Sequence, residues 1–193
     1  MIQLYLKTKF RRMKFLITLF IVSMSFSGFS QAKPGINWMT LPQVEEAMKT
    51  QKKKIFIDLY TDWCGWCKRM DATTFSDPTI IDYINRNYYC VKFNAERRDT
   101  VRFNNFDFYD VSPTAKRGTN LFAYSVLEGK MSYPSFAILD ESYNRLFIIA
   151  GYKSPEPFLG NLMFFSTNEY QRYSNFLYEQ FQKQTQQQQG QAK

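Results

Sequence analysis

A buried strand that runs straight into a closely spaced cysteine pair is the feature that most limits how this chain folds. Residues 55–60 (Ile-Phe-Ile-Asp-Leu-Tyr) are nearly continuous in apolar side chains, which is typical of a strand covered on both faces. Cys64 and Cys67 follow at once, and the residues from Cys64 to Thr74 suit a helix. This order predicts that Cys64 lies at a helix N-terminus, where unpaired N–H groups and a partial positive charge favour a thiolate.

The spacing of the pair indicates thiol–disulfide exchange. That reaction needs one thiolate to attack a disulfide and a second thiol to resolve the mixed disulfide that results. Two intervening residues on a helical turn hold the sulfurs close enough to bond, so Cys64 is predicted to be the nucleophile and Cys67 the resolving thiol. Two other interpretations remain open: an inert structural disulfide, and half of a zinc site whose second half the sequence lacks.

The third cysteine, Cys90, lies in the middle of a predicted strand. Alternation along that strand puts Cys90 on the same face as Lys92. A buried, unreactive thiol is the expected state of Cys90, and a third redox cysteine is the alternative.

Composition excludes several classes of site. The chain contains no histidine, which rules out serine–histidine and cysteine–histidine nucleophile pairs and any zinc site that needs imidazole, so no metal is expected. The formal charge is +8, but five of the 25 basic residues and none of the 17 acidic ones lie in residues 1–32. The rest of the chain carries a formal charge of only +3, so no nucleic-acid partner is expected.

Residues 1–32 follow the order of a signal peptide. Basic residues precede a short apolar core (15–22), and small and polar residues then lead to Ala32. We expect cleavage after Ala32 and a periplasmic or otherwise extracytoplasmic location, where a close cysteine pair can be oxidised. The apolar core is short for a membrane span, so no stable membrane anchor is expected after cleavage; an uncleaved anchor is the alternative. Translation can start at Met1 or at Met13.

The remaining sequence predicts one compact α/β domain at residues 33–181, because strands alternate with helices. Within it, residues 95–131 read as an insertion with a small hairpin around Asn104-Asn105. The aromatic residues of the insertion are expected in a core, with a recognition surface as the alternative. The glutamine-rich residues 182–193 are predicted to be disordered. The other predicted strands are 88–93, 135–139 and 146–150, and the other predicted helices are 41–51, one opened by Asp77-Pro78, 121–127, one opened by Ser154-Pro155, and 170–181.

Residues 57–68 (Ile-Asp-Leu-Tyr-Thr-Asp-Trp-Cys-Gly-Trp-Cys-Lys) resemble the active-site strand and loop of the thioredoxin superfamily. The continuation at 74–78 (Thr-Phe-Ser-Asp-Pro) is similar to a branch that includes the reducing C-terminal domain of the bacterial transmembrane disulfide reductase and related exported proteins. The resemblance covers roughly residues 38–165. It implies a thioredoxin fold, with a central mixed sheet flanked by helices. The chain departs from the family pattern by the insertion at 95–131 before the cis-proline strand, and the predicted helix at 170–181 is an extra C-terminal helix.

The resemblance also gives catalytic roles to Asp58 and Lys92. Asp58 falls where the family keeps a buried carboxylate beneath the cysteine pair, and burial raises the pKa of such an acid, which suits a proton acceptor for Cys67. Lys92 falls where the family often has a lysine near that carboxylate. A solvent-reaching aspartate and a solvated strand lysine are the alternatives.

Five residues are expected to contact the substrate, namely Trp63, Gly65, Trp66, Tyr133 and Pro134. Pro134 matches the family's cis-proline, which faces the cysteine pair while the backbone before it bonds an extended substrate; an ordinary trans proline is the alternative. Tyr133 is then expected to shape the redox potential and the choice of partner. Trp66 replaces the proline of ordinary thioredoxins, a departure that leaves the redox potential open.

These observations predict an exported thiol–disulfide oxidoreductase that reduces or isomerises disulfides of exported proteins through a Cys64 mixed disulfide. No dissociable cofactor is expected, because the electrons reside on the Cys64–Cys67 pair. The predicted partners are protein disulfides or dithiols and an upstream redox partner. The alternative is a thioredoxin-like module that binds clients or partners and whose cysteine pair is mainly structural. A donor of oxidising equivalents is a weaker hypothesis, because no histidine lies between the cysteines.

Overall fold

The structure is a computed structural model that describes residues 35–191, with side chains to residue 188. The signal peptide predicted for residues 1–32 lies outside the described residues. The helices are α1 (Leu41–Thr50), α2 (Gly65–Ala72), α3 (Pro78–Asn87), α4 (Leu121–Val126), α5 (Pro155–Ser166) and α6 (Glu169–Gln191). The strands are β1 (Trp38–Met39), β2 (Lys54–Tyr60), β3 (Tyr88–Asn94), β4 (Val101–Phe103), β5 (Phe106–Phe108), β6 (Ser135–Leu139) and β7 (Arg145–Ala150).

Five strands form one mixed sheet in the order β1-β3-β2-β6-β7. Strands β1, β3 and β2 are parallel, whereas β6 and β7 are antiparallel to their neighbours. The central strand β2 pairs with β3 on one side and β6 on the other, which explains why its sequence is apolar on both faces. The predicted strands at this sheet are confirmed, with ends that shift by a residue, whereas the short β1 was not predicted.

Each face of the sheet is covered by its own apolar cluster. On one face, buried side chains of α1, α4 and the β4 strand pack against Ile55, Ile57 and Leu59. On the other face, α2, α3 and α5 pack against Phe56, whose ring contacts those of Phe136 and Phe158. Because side chains alternate along β2, Asp58 lies on the same face as Phe56, the face covered by the cysteine helix.

Local sequence signals explain where α3 begins. The Oδ1 atom of Asp77 accepts hydrogen bonds from the backbone N–H groups of Thr79 (2.8 Å) and Ile80 (3.1 Å), and Pro78 occupies the first helical turn. The predicted start of this helix is therefore confirmed.

The insertion contains the predicted hairpin. Strands β4 and β5 pair antiparallel through a turn at Asn104 and Asn105, both of which adopt positive φ angles (49° and 61°). Asparagine tolerates this left-handed conformation better than most residues, so the sequence signal had a local physical cause. Phe103 of the hairpin packs edge-on against Phe122 of α4, which places this part of the insertion in the core.

The last helix, α6, extends into the glutamine-rich C-terminal segment. The structure continues α6 to Gln191, whereas residues 182–193 were predicted to be disordered. Glutamine has a helix propensity close to that of lysine or glutamate, and no proline and only Gly190 interrupts the run, so a helix already under way continues. The extra C-terminal helix predicted from residues 170–181 is confirmed.

Of the helices within residues 35–191, none combines the length and the apolar character that crossing a bilayer requires.

Candidate active site

Cys64 and Cys67 are joined by a disulfide at the start of α2, with their Cα atoms 5.3 Å apart. Cys64 is the N-cap of the helix, and its Sγ accepts a hydrogen bond from the backbone N–H of Cys67 (3.0 Å). An N–H group that donates to this sulfur would stabilise a thiolate there. Gly65 begins the helix and is exposed, and nothing lies within 4 Å of where its Cβ would be. Both cysteines are only 4% exposed.

Asp58 is the buried carboxyl group of the site. It is 2% exposed, and its Oδ1 atom has no hydrogen-bond partner among the described residues. The pKa of Asp58 is raised to about 7, chiefly because the group is buried; the positive charge of Lys92 opposes the rise, and the nearby carboxylate of Asp71 adds to it. A carboxyl group with this pKa can take up or release a proton near neutral pH.

Lys92 links Asp58 to the cysteine helix. Asp58 and Lys92 are opposite each other in the β2–β3 ladder, and the Lys92 Nζ lies 3.4 Å from Asp58 Oδ2. The same Nζ also forms an ion pair with Asp71 near the end of α2. The ammonium group sits among the rings of Trp38 (5.3 Å to the centroid) and Tyr60 (5.4 Å). Asp58 and Lys92 therefore lie on the side of the sheet that α2 covers. Asp58 does not reach solvent, and Lys92 is ion-paired rather than freely solvated.

The Tyr133–Pro134 peptide bond is cis and immediately precedes β6. Pro134 is buried and Tyr133 is half-buried. Within residues 35–191, the backbone N–H and C=O of Tyr133 form no hydrogen bond. The ring of Tyr133 packs edge-on against Trp63, with the centroids 6.0 Å apart, so this segment contacts the residue that immediately precedes Cys64.

Trp63 is held between the insertion and Tyr133. Its Nε1 donates a hydrogen bond to Glu96 Oε1 (3.0 Å), and the guanidinium of Arg117 lies 4.3 Å above its ring centroid. Despite these contacts the side chain is 51% exposed. The insertion therefore reaches the residue that immediately precedes Cys64.

Trp66, between the two cysteines, is 60% exposed. It lies 5.6 Å from the ring of Tyr152, which follows β7. The guanidinium of Arg69 is close to both rings, at 5.9 Å from Trp66 and 5.7 Å from Tyr152. Cys64 is thus flanked along the chain by two exposed indoles, each with an arginine beside it.

Cys90 is 1% exposed and is not bonded to another cysteine. It packs in the same apolar cluster as Phe56, and desolvation raises the pKa of its thiol far above the usual range. The prediction of a buried thiol is confirmed. A protonated, enclosed thiol is a poor nucleophile, which argues against a third redox cysteine.

Comparison with known families identifies the domain. A family model described as thioredoxin-like matches residues 37–140, more than half of the chain. The chain belongs to the thioredoxin-like family. This family also has the mixed sheet and flanking helices observed here, so the fold expected from residues 57–68 is confirmed.

Curated and solved members of the family show how far the likeness extends. The chain is 25% identical over 95 residues to the thiol:disulfide interchange protein DsbD of Campylobacter jejuni strain RM1221, covering 48% of this chain and 17% of that protein. It is 33% identical over 55 residues to DsbD of Escherichia coli K12, covering 26% and 10%. The solution structure of a thioredoxin from Thermus thermophilus superposes with a TM-score of 0.52 at 11% identity, covering 70% of this chain and 90% of that one. The chain spans less than two thirds of the length of the curated relatives it matches.

Sequence reasoning about this thioredoxin-like domain missed several residues of the site, including Arg69 of α2. Asp71 had a local signal, since it follows Cys67 by one helical turn and therefore lies on the same face of α2. Glu96 and Arg117 contact Trp63 from far along the chain, and Tyr152 reaches Trp66 from beyond β7. No spacing in the sequence indicates these contacts.

Proposed function

We propose that this thioredoxin-like protein is an exported thiol–disulfide oxidoreductase that reduces or isomerises disulfides of other exported proteins. The observation that carries the proposal is the position of Cys64 as the N-cap of α2. Its Sγ is bonded to that of Cys67 and accepts a hydrogen bond from the backbone N–H of Cys67. An inert disulfide does not need this placement, whereas an attacking thiolate is stabilised by it.

The reduced protein carries out two exchanges. The Cys64 thiolate attacks one sulfur of a client disulfide, a Cys64–client disulfide forms, and the other client sulfur leaves as a thiolate. The Cys67 thiolate then attacks Cys64 Sγ, the internal disulfide forms, and the second client sulfur leaves. Two electrons pass from the protein to the client, and an upstream dithiol must return the Cys64–Cys67 pair to the reduced form.

Asp58 supplies the proton transfer in the second exchange. Cys67 must lose its proton before it attacks, and a carboxylate whose pKa is about 7 can accept that proton at neutral pH and later release it. Lys92 holds the carboxylate in place through its contact with Asp58 Oδ2. No dissociable cofactor takes part, because both electrons stay on sulfur.

The client binds as an extended segment beside Tyr133 and Pro134. The unpaired N–H and C=O of Tyr133 are available to bond a client backbone in the manner of a short added strand. Trp63 and Trp66 flank the reacting sulfur and provide apolar contact. The signal-peptide order of residues 1–32 supports a location outside the cytoplasm, where client disulfides form.

The reduction potential of the Cys64–Cys67 couple tests the proposal. Purified protein is equilibrated in redox buffers, and the free thiols are trapped and counted. A reversible couple near roughly −270 mV supports a reductase, and one near about −120 mV supports a donor of oxidising equivalents. A pair that does not exchange in any buffer contradicts an oxidoreductase.

A second candidate is a client-binding module with a structural cysteine pair. The observation that favours it is the burial of the pair, since both residues are 4% exposed. Full biological activity of the double variant Cys64→Ser, Cys67→Ser would establish this alternative.

Asp71 is predicted to tune the proton acceptor. In Asp71→Asn, Lys92 loses its second carboxylate partner and the negative charge that raises the pKa of Asp58 disappears, so that pKa should fall. The measurement is an NMR titration of the Asp58 carboxyl carbon in the disulfide form, which does not depend on turnover. The matched control is Asp82→Asn, which removes an exposed carboxylate of α3 and should leave the titration unchanged. An unchanged Asp58 titration in Asp71→Asn would contradict the coupling.

A further inference from the structure

Two arginines lie close to the reactive cysteine, one beside each neighbouring tryptophan. Arg117 comes from the insertion and stacks over Trp63, and Arg69 comes from α2 and lies beside Trp66. Both arginine residues are exposed, and no salt bridge among residues 35–191 includes either guanidinium. One unpaired cation therefore accompanies each of the tryptophans that flank Cys64.

The loop that carries Arg117 is held in place by polar contacts. Arg98 donates to the backbone oxygens of Pro113 (3.0 Å) and Ala115 (2.9 Å), and it also pairs with Asp110 at 3.3 Å. The Oδ1 atom of Asp110 accepts from the backbone N–H of Thr119 (2.9 Å), which closes the loop. These contacts tie the loop to Arg98 and Asp110, although most of its residues are exposed.

Gly118 fixes how close this loop comes to the rest of the site. A Cβ at Gly118 would lie 2.4 Å from the backbone oxygen of Glu96, which is too close for any side chain. The Glu96 side chain in turn bonds the indole of Trp63. Because Arg117 immediately precedes Gly118, this close approach sets the position of its guanidinium over Trp63.

A guanidinium whose face rests on an indole keeps its N–H donors at its edge. Those donors match the two oxygens of a carboxylate and can bind it in a bidentate manner. Glu96 already accepts the hydrogen bond from Trp63, and within residues 35–191 Asp62 forms no ion pair with either arginine. The carboxylates that Arg117 and Arg69 lack are therefore available from a bound client.

We infer that Arg117 and Arg69 are specificity-determining residues that select client segments with acidic side chains on both sides of the reacting cysteine. The inference rests on the proposed function for its setting, since it names the substrate class of that same site. It also gives the insertion a role, because Arg117 lies within residues 95–131.

Binding to the disulfide form tests this selection without any turnover. The probes are two linear peptides with serine at the cysteine position, one flanked by glutamates and the other by glutamines, and binding to the full chain is followed by calorimetry. The acidic peptide should bind about tenfold more tightly at low salt, since two partly exposed ion pairs contribute modestly. The preference should shrink as salt is added.

Three variants locate the effect. The preference can be expressed as the difference in binding free energy between the two peptides. Arg117→Gln and Arg69→Gln should each remove about half of that difference. Arg172→Gln is the matched control, because it removes the same charge from an exposed arginine of α6. Equal affinity for both peptides in the wild-type protein, including no detectable binding of either, would overturn the inference, as would an equal loss in Arg172→Gln.

Gly118→Ala provides a test that leaves the charge unchanged. The added Cβ must displace the loop from Glu96, so Arg117 moves away from Trp63 and the preference should fall as it does in Arg117→Gln. A full preference in Gly118→Ala would show that the placement of Arg117 is not what selects the client. Insulin reduction by the wild-type protein is scored separately: binding with acidic preference but no reduction contradicts the proposed function alone, and reduction without the preference contradicts this inference alone.

Discussion

Cys64→Ser should lower the rate of insulin reduction by at least about a hundredfold, because the hydroxyl that replaces the thiolate cannot attack a disulfide at neutral pH. Cys67→Ser should show a different defect. Its Cys64 can still attack, but nothing resolves the product, so a mixed disulfide between the protein and the client should accumulate. Non-reducing gels and intact mass measurements distinguish the two variants.

Cys90→Ala is the control for this pair of variants. Cys90 is buried and its thiol pKa is raised, so its removal should leave the reduction rate nearly unchanged. Turnover that survives in Cys64→Ser would contradict the assignment of the nucleophile. A mixed disulfide that accumulates in Cys64→Ser rather than in Cys67→Ser would reverse the two roles.

The stability of the disulfide form should depend on pH through Asp58. The folded-state pKa of Asp58 is raised from 3.8 to about 7, so the folded protein binds more protons than the unfolded chain between these values. The contribution of the protonated carboxyl is complete below the unfolded pKa and is lost as pH rises through the folded pKa. The free energy of unfolding should therefore fall from about pH 4 to about pH 7 by up to about 4 kcal/mol from this group.

Asp58→Asn isolates this effect from the titration of other carboxylates. The amide does not ionise, so the variant should gain stability relative to the wild-type protein as pH rises from 4 to 8, and the gain should level off above about pH 7. Urea denaturation of both proteins at several pH values gives the difference. Asp82→Asn, an exposed change on α3, should show no such trend. A difference between Asp58→Asn and wild type that stays constant over this pH range would contradict a raised pKa.

Sequence alone located the reactive pair because its signals are local. The apolar run of 55–60 specifies a strand, and the cysteines that follow it lie within one helical turn, so their joint position depends on short-range geometry. The Asn104-Asn105 turn and the Asp77-Pro78 start of α3 were predicted for the same reason, since each depends on the conformational preference of one or two residues.

Composition predicts disorder at 182–193, whereas α6 continues to Gln191, because composition is a weak guide to conformation. A glutamine-rich run without an apolar face of its own is typical of disorder. Glutamine is nevertheless compatible with a helix, and the segment continues the helix that begins at Glu169. A helix already nucleated extends one residue at a time at little cost.

Resemblance to the family supplied Asp58, Lys92 and Pro134, which composition and spacing leave ambiguous. The structure adds the surroundings of these residues. Asp58 has an oxygen without a hydrogen-bond partner among the described residues, and Lys92 contacts both Asp58 and Asp71. The pKa of a buried acid depends on desolvation and on charges brought close by folding, so it follows from the packed structure.

The chain's own sequence therefore determined the strand, the cysteine pair and the helix that begins at Cys64, because these depend on neighbours along the chain. Tertiary structure alone decided which groups surround that pair. Glu96 and Arg117 reach Trp63, and Tyr152 reaches Trp66, only because the insertion and the segment after β7 both fold back to the start of α2. The physical reason is that the partners of an exposed side chain are set by packing between distant segments, which no local propensity encodes.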